Sequence, residues 1–256
     1  MSFFEKQWCR RYVPAENPTA RLVCLPHAGG SAPFYRPVAA ALGRRIDVVA
    51  VQYPGRQDRR SETPISEMSV LADRIAEILR EDDGLPLTLF GHSLGAVLAF
   101  EVARRLDAEG KPPARIFASG RRGPSTYRDE KIHRLDDAGI LAELRSMNGT
   151  ASVLLDDEEL MRAALPSLRA DYTAAERYTC DPATTVSSPI TVLTGDCDPK
   201  TTLDEAREWE RHTTGGFEFE VYPGGHFFLT EQIRPIIELL EQHFAAQTAG
   251  TSAGPR

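Results

Sequence analysis

The stretch LTLFGHSLGAVLAFEVARRLDAE, Leu87 to Glu109, changes its hydrophobic period part-way along. It opens as a short, largely apolar run of the kind buried in a parallel sheet. Leu94, Leu98, Val102 and Leu106 then recur at helical spacing. Between the two lies Gly91-His92-Ser93-Leu94-Gly95, a G-x-S-x-G turn. The pattern predicts strand, tight turn and buried helix, with Ser93 strained and exposed at the strand's end above a helix N-terminus. Small residues flank the serine because strand and helix pass close together there. An ordinary turn also satisfies five such positions, and it is the flanking strand and amphipathic helix that favour a nucleophile.

Upstream, Arg21 to Leu25 reads as a buried strand running into Pro26-His27-Ala28-Gly29-Gly30-Ser31. Ser31 is a candidate cap for a helix from about Pro33 to Leu42. Backbone N–H groups near Ala28 are placed to hold an oxyanion above the sheet. Ile46 to Tyr53 is the next strand, followed by a loop carrying Arg56, Arg59 and Arg60, read as a solvated basic loop. Met68 to Arg80 is a helix with Val70, Leu71, Ile75, Ile78 and Leu79 as its apolar face. Arg115 to Ser119 is a further strand. The alternation of strand and helix implies a mostly parallel sheet with helices on both faces.

From about Gly123 to Ser187 the alternation breaks into helical segments. One is expected to open at Asp156 as N-cap, with Glu159 reaching back, and to bury Leu160, Ala164, Leu165 and Leu168. Placed between two strands, this insertion, about 124–187, is a candidate lid over a single domain spanning 1–256. Strands resume at 189–194 and 217–222, with a helix over 203–211 between them. Ile233, Ile236, Ile237, Leu240 and Phe244 mark a terminal helix, with Pro235 in its first turn. Residues 247–256 read as a disordered tail.

A net charge of −7 and a pI near 5.5 argue against a general nucleic-acid binder. Cys9, Cys24, Cys180 and Cys197 show no metal-ligand spacing and read as reduced, mostly core thiols. The segment MSFFEKQWCRRYVP lacks a sustained apolar run with a small-residue cleavage site, and no stretch reaches membrane-spanning length, so a cytoplasmic protein is expected. Neither metal nor cofactor is expected.

A serine hydroxyl needs a base, and the base an orienting acid. Of six histidines, His226 follows a strand and a Gly-Gly turn at the edge that carries Ser93, and is the candidate base. His92 should point away from the turn, His27 is a candidate pocket-lining residue, and His133, His212 and His243 read as solvated. Asp198 and Asp196 both follow the PITVLT strand. Asp198 is preferred because its spacing lets the loop turn back toward the histidine, with Asp196 left as a brace or as the alternative acid. The order Ser93, Asp198, His226 is that of the α/β-hydrolases. Leu94 N–H, after the nucleophile, and Ala28 N–H are the candidate oxyanion donors.

With these residues assembled, the chain resembles the type II thioesterases that accompany polyketide synthases and nonribosomal peptide synthetases. The resemblance rests on LVCLPHAGGSAPFYRP, VQYPGRQDR, LFGHSLGA, LPSLRADYTAAERY, GDCDP and YPGGHFFL together. It implies an α/β-hydrolase fold and hydrolysis of acyl thioesters from the phosphopantetheine arm of acyl or peptidyl carrier domains. It also places the family's triad on Ser93, Asp198 and His226 and its oxyanion donors on Ala28 and Leu94. An acidic carrier would favour a basic rim, for which Arg121, Arg122, Arg128 and Lys131 are candidates. Two other readings compete: an intracellular esterase or acyltransferase on free small substrates, and a ligand-binding module that has lost catalysis, which the intact triad disfavours.

Overall fold

The computed structural model describes residues 7–80, 84–147 and 158–252. Seven strands form one sheet: β1 Cys9–Arg10, β2 Ala20–Leu25, β3 Ile46–Val51, β4 Leu87–His92, β5 Arg115–Ser119, β6 Ile190–Gly195 and β7 Phe217–Tyr222. Their order is β1-β3-β2-β4-β5-β6-β7. All neighbours are parallel except β1, a short antiparallel edge pairing Cys9 with Val51, which the sequence pattern did not signal. β1 is too short to show a period.

Helices cover both faces. On one side α2 (Met68–Leu79) and α3 (Leu94–Ala108) pack against Val23, Val49, Leu89, Ile116 and Val192. On the other, α1 (Arg36–Leu42) and a long terminal helix pack against Leu22, Val48, Phe90, Phe117 and Leu193. Alternate residues of each strand thus feed opposite cores, as the two-residue period requires. The helix expected from Pro33 begins as a 3-10 turn, Ala32–Tyr35, and Ser31 makes no side-chain cap bond. In α2, Val70 is exposed, because it lies off the stripe formed by Leu71, Ile75 and Ile78.

Between β5 and β6, among the described residues, run a 3-10 turn, Ile132–Arg134, and two helices, α4 (Asp137–Met147) and α5 (Glu158–Arg177). They share a small core of Ile132, Ile140, Leu144, Met161, Leu165, Leu168 and Tyr172, separate from both sheet cores. The Asp156 cap lies outside the described residues. After β6, α6 (Leu203–Arg207) is capped by Thr202 and Glu205 in a reciprocal capping box and gives way to a 3-10 turn, Glu208–His212. A short α7 (Phe228–Glu231) precedes α8 (Ile233–Ser252). α8 therefore runs past Ala246 into the segment expected to be disordered. The helix continues there although Thr, Gly and Ser are weak helix formers, and Thr248 Oγ1 donates back to Phe244 O at 3.0 Å. Residues 253–256 lie outside the described ones. Among the described residues no helix is long and apolar enough to cross a membrane.

Candidate active site

The parallel register brings five loops to one edge. Leu25 lies beside Gly91, His92 beside Ser119, Ser119 beside Leu193, and Gly195 beside Tyr222. The residues that follow those strand ends therefore converge at the edge where ligands of such sheets bind.

Ser93 occupies the turn from β4 into α3 at φ 54°, ψ −113°, a conformation that non-glycine residues rarely adopt. A Cβ at Gly91 would lie 2.0 Å from Gly95 O, and one at Gly95 2.0 Å from Leu25 O, so the close crossing admits only glycine at either position. Leu94 opens α3, and its N–H has no intrahelical acceptor. Ala28 N–H likewise meets no protein acceptor among the described residues, whereas the N–H of Gly29 bonds Asp171 and that of Gly30 bonds His27 O. Ala28, Ser93, Leu94 and His226 line one recess, together with Arg121, Tyr172 and Lys200, of about 30 Å³. That is space for roughly two water molecules. A wider opening beside it is lined by Phe34, Met147, Met161, Leu168 and Phe227.

His226 and Asp198 are both buried. His226 Nδ1 lies 2.9 Å from Asp198 Oδ2 and 3.1 Å from Oδ1. An ionised carboxylate only accepts, so Nδ1 carries the hydrogen and Nε2 is left with its lone pair. Lys200 N–H donates to Asp198 Oδ1 at 2.8 Å, holding the carboxylate toward the ring. Asp196 takes the other role weighed for it: its Oδ1 accepts from Gly224 N–H at 2.9 Å and braces the turn that delivers His226. Among the described residues Ser93 Oγ makes no hydrogen bond, a looseness common at such sites before substrate arrives.

The remaining histidines are less exposed than their sequence contexts suggested. His92 is buried, its Nδ1 3.0 Å from Ser119 Oγ. His27 lines both cavities, with its ring centroid 4.9 Å from that of Phe227. Burial, reinforced by the neighbouring His226, pushes His27 down to about 3 and His92 well below its ordinary value. His212 is fully buried; Nδ1–H donates to Thr184 O at 2.7 Å, and Nε2 lies 2.8 Å from Ser125 Oγ. His133 pairs with Glu176, and His243 meets Thr88 Oγ1 at 3.0 Å. None of these three is a solvated surface histidine, because long-range packing covers them. Of the cysteines only Cys24 is in the core; Cys197 is exposed on the loop between the two aspartates.

The four rim candidates are not a set of free, exposed charges. Arg122 is 3% exposed and donates to Glu130 at 2.8 Å. Arg128 Nε donates to Glu205 Oε1 at 2.6 Å, and Lys131 pairs with Asp129 at 2.5 Å. Arg121 faces the recess and donates to Ala175 O at 3.2 Å; burial and then the charge of Arg122 push it down to about 10. Nearby acids thus pair three of the four charges that looked unpaired in the sequence. In the 54–60 loop Arg60 is exposed as its reading expected, but the other two arginines are not. Arg56 and Arg59 are buried, Arg59 against Glu62 and over the Trp8 ring at 4.3 Å, and Arg56 against Asp171. The Arg56–Asp171 pair was missed; both residues lie in blocks that carry the family resemblance, PGRQDR and LRADY, but nothing local ties one block to the other.

Residues 20–244 match the model of the thioesterase domain family. The chain is 51% identical to the probable cadicidin biosynthesis thioesterase of Streptomyces griseus, over 96% of this chain and 68% of that protein. It is 45% identical to thioesterase PikA5 of Streptomyces venezuelae, over 92% of this chain and 85% of that one. Among solved structures, the type II thioesterase BorB from the borrelidin biosynthetic cluster superposes with a TM-score of 0.88 at 48% identity, covering 92% of this chain and 97% of BorB.

Proposed function

Since the chain belongs to the thioesterase domain family, we propose that it hydrolyses stalled or aberrant acyl groups from the phosphopantetheine arm of an acyl or peptidyl carrier domain, through an acyl intermediate on Ser93. The observation that carries this reading is the meeting of Ser93, His226, Ala28 and Leu94 around one recess, with His226 Nδ1 held by Asp198. In this reading His226 Nε2 takes the Ser93 Oγ proton as the oxygen attacks the thioester carbonyl. The oxyanion forms against Ala28 N–H and Leu94 N–H, where fixed donors act most strongly on developing charge. Collapse expels the carrier's thiol, protonated by His226. Water, deprotonated by the same nitrogen, then attacks the acyl-serine and releases the free acid. Asp198 keeps the ring in the tautomer that both half-reactions need. The proposed chemistry draws on no cofactor beyond the arm that the substrate itself brings.

The biosynthetic settings named for the cadicidin and borrelidin thioesterases support a carrier-bound substrate. The test is release of free acid, followed by mass spectrometry, from an acyl-pantetheinyl carrier protein and from the matched acyl thioester of free pantetheine, each with a Ser93→Ala control. Faster turnover on the carrier, lost in the control, is expected. Equal or better turnover of the free thioester would instead identify a hydrolase of small acyl substrates.

A further inference from the structure

Asp171, on lid helix α5, makes contacts that the triad chemistry does not account for. Its side chain is 1% exposed, and that of its partner Arg56 is 8% exposed. Oδ2 accepts from Arg56 Nη1 at 2.6 Å and Oδ1 from Arg56 Nη2 at 2.9 Å, a bidentate pair. The same Oδ2 accepts from Gly29 N–H at 2.8 Å. Arg56 Nη1 also donates to Gly30 O at 3.1 Å, so the pair grips the loop at its 28–29 and 30–31 peptides. Leu168, one turn earlier on α5, sits over Gly29, where an added Cβ would lie 2.4 Å from its Cδ2. Ser167 Oγ donates to Gly55 O at 2.6 Å, fixing the same stretch of helix to the loop that carries Arg56.

The chain that leads into the 27–30 loop is held from below by two buried tyrosines. Tyr53 Oη donates to Pro26 O at 3.1 Å, and Tyr35 Oη to Leu25 O at 2.9 Å. The lid supplies what those tyrosines do not: an anchor on the peptide immediately after Ala28. A peptide plane turns about one soft torsion at each end, so anchoring the 28–29 plane through Gly29 N–H, with Pro26 O held on the other side, leaves few torsions by which the Ala28 N–H can turn away. An oxyanion donor misdirected by a fraction of an ångström loses most of its effect on the transition state, because the charge it serves develops at one place.

We infer that the Arg56–Asp171 pair is a positioning device that completes the oxyanion hole from the lid, so that the hole is assembled only while the Asp171 stretch of α5 is seated. This inference rests on the acyl-serine reading of Ser93. It makes Asp171 and Arg56 positioning residues, acting on the transition state through Gly29 and Ala28 without touching substrate.

The test uses a small activated thioester and a trifluoromethyl ketone, which forms a reversible tetrahedral adduct on the serine, so neither readout depends on a carrier. A double variant, Arg56→Met with Asp171→Leu, replaces the buried pair by apolar groups of similar size, which commonly preserves folding. The isosteric Asp171→Asn variant keeps an oxygen for Gly29 N–H and supplies a second, gentler measurement. In the double variant kcat and ketone affinity are expected to fall together by about 10²-fold with KM within twofold, the loss typical of one oxyanion donor. Asp171→Asn is expected to lose about tenfold in both, an intermediate position that lost packing alone would not produce. A folded double variant with kcat and ketone affinity within twofold of the parent overturns the inference, as does a loss confined to KM. If the double variant does not fold, equal ketone affinity for Asp171→Asn and the parent overturns it. Full activity of Ser93→Ala would instead overturn the acyl-serine reading itself, so the two failures are distinguishable.

Discussion

The loops at the sheet edge and the helices of the lid are positioned by different physics. At the edge, Ser93, Asp198 and His226 each stand within four residues of a strand's last residue: His92, Gly195 and Tyr222. The ladder register, Gly195 beside Tyr222 and His92 beside Ser119, then sets where they meet. In the lid, Asp171 finds Arg56 across 115 residues, Glu176 finds His133 across 43, and Glu143 pairs with Lys200 on the acid's own loop. Edge residues are placed by local chain geometry on a rigid frame. Lid residues are placed by packing, and their charges acquire meaning only once the helices sit down.

If the edge carries the chemistry, the largest effect belongs to Ser93→Ala, with kcat on a thioester falling by about 10⁶-fold in a thiol-release assay. A variant that kept more than a tenth of the activity would move the nucleophile elsewhere. Next comes the acid. Asp198→Asn should cost about 10⁴-fold by stranding His226 in the wrong tautomer, while Asp196→Asn, a brace on Gly224 N–H, should stay within about tenfold. The reverse ranking would make Asp196 the orienting group.

On the lid side the expected effects are on stability. Arg122→Ala empties a buried guanidinium site and leaves the half-buried Glu130 with only Lys200 at 3.5 Å, and urea unfolding should report a loss of about 2 kcal/mol. A loss confined to carrier-dependent KM, with no change in the urea midpoint, would restore Arg122 to a docking role. The histidines beneath the edge set a pH limit. His27 is held at about 3 in the folded chain by burial, against an ordinary value near 6.5. Above 6.5 it is neutral in both states and has no effect. As pH falls from 6.5 toward 3 the unfolded chain takes up a proton that the folded chain refuses, so stability declines, by about 2 kcal/mol at pH 5. His92, depressed by the same burial, acts in the same direction. Thermal melts between pH 7 and pH 5 check this, and a flat or rising profile would contradict it. The smallest effect is on Lys131, whose pairing with Asp129 is exposed on both sides. Lys131→Ala should shift unfolding by no more than about 0.5 kcal/mol and leave kcat/KM on a carrier substrate within twofold.

The amino-acid sequence by itself determined the six parallel strands, the helices on both faces, the turn at Ser93 and the positions of His226 and Asp198. Hydrophobic period, glycine and chain order report a residue's place relative to its own strand, and in a parallel sheet that place is also its place in the site. Only the tertiary structure decided what the charged residues do. Arg56 and Arg59 read as a solvated loop and are buried; Arg122 and Arg128 read as a docking rim and are paired with Glu130 and Glu205; His212 reads as a surface residue and is wholly enclosed. The terminal helix runs beyond the point where composition suggested it would fray. The cause is common to all of these. A charge or an imidazole carries no periodic signal of its partner, so its role is fixed by whichever distant group the packed chain brings within hydrogen-bonding distance. Asp171 is the fullest case, a carboxylate with no local signature that becomes part of the site because the lid helix lays it against Arg56 and Gly29.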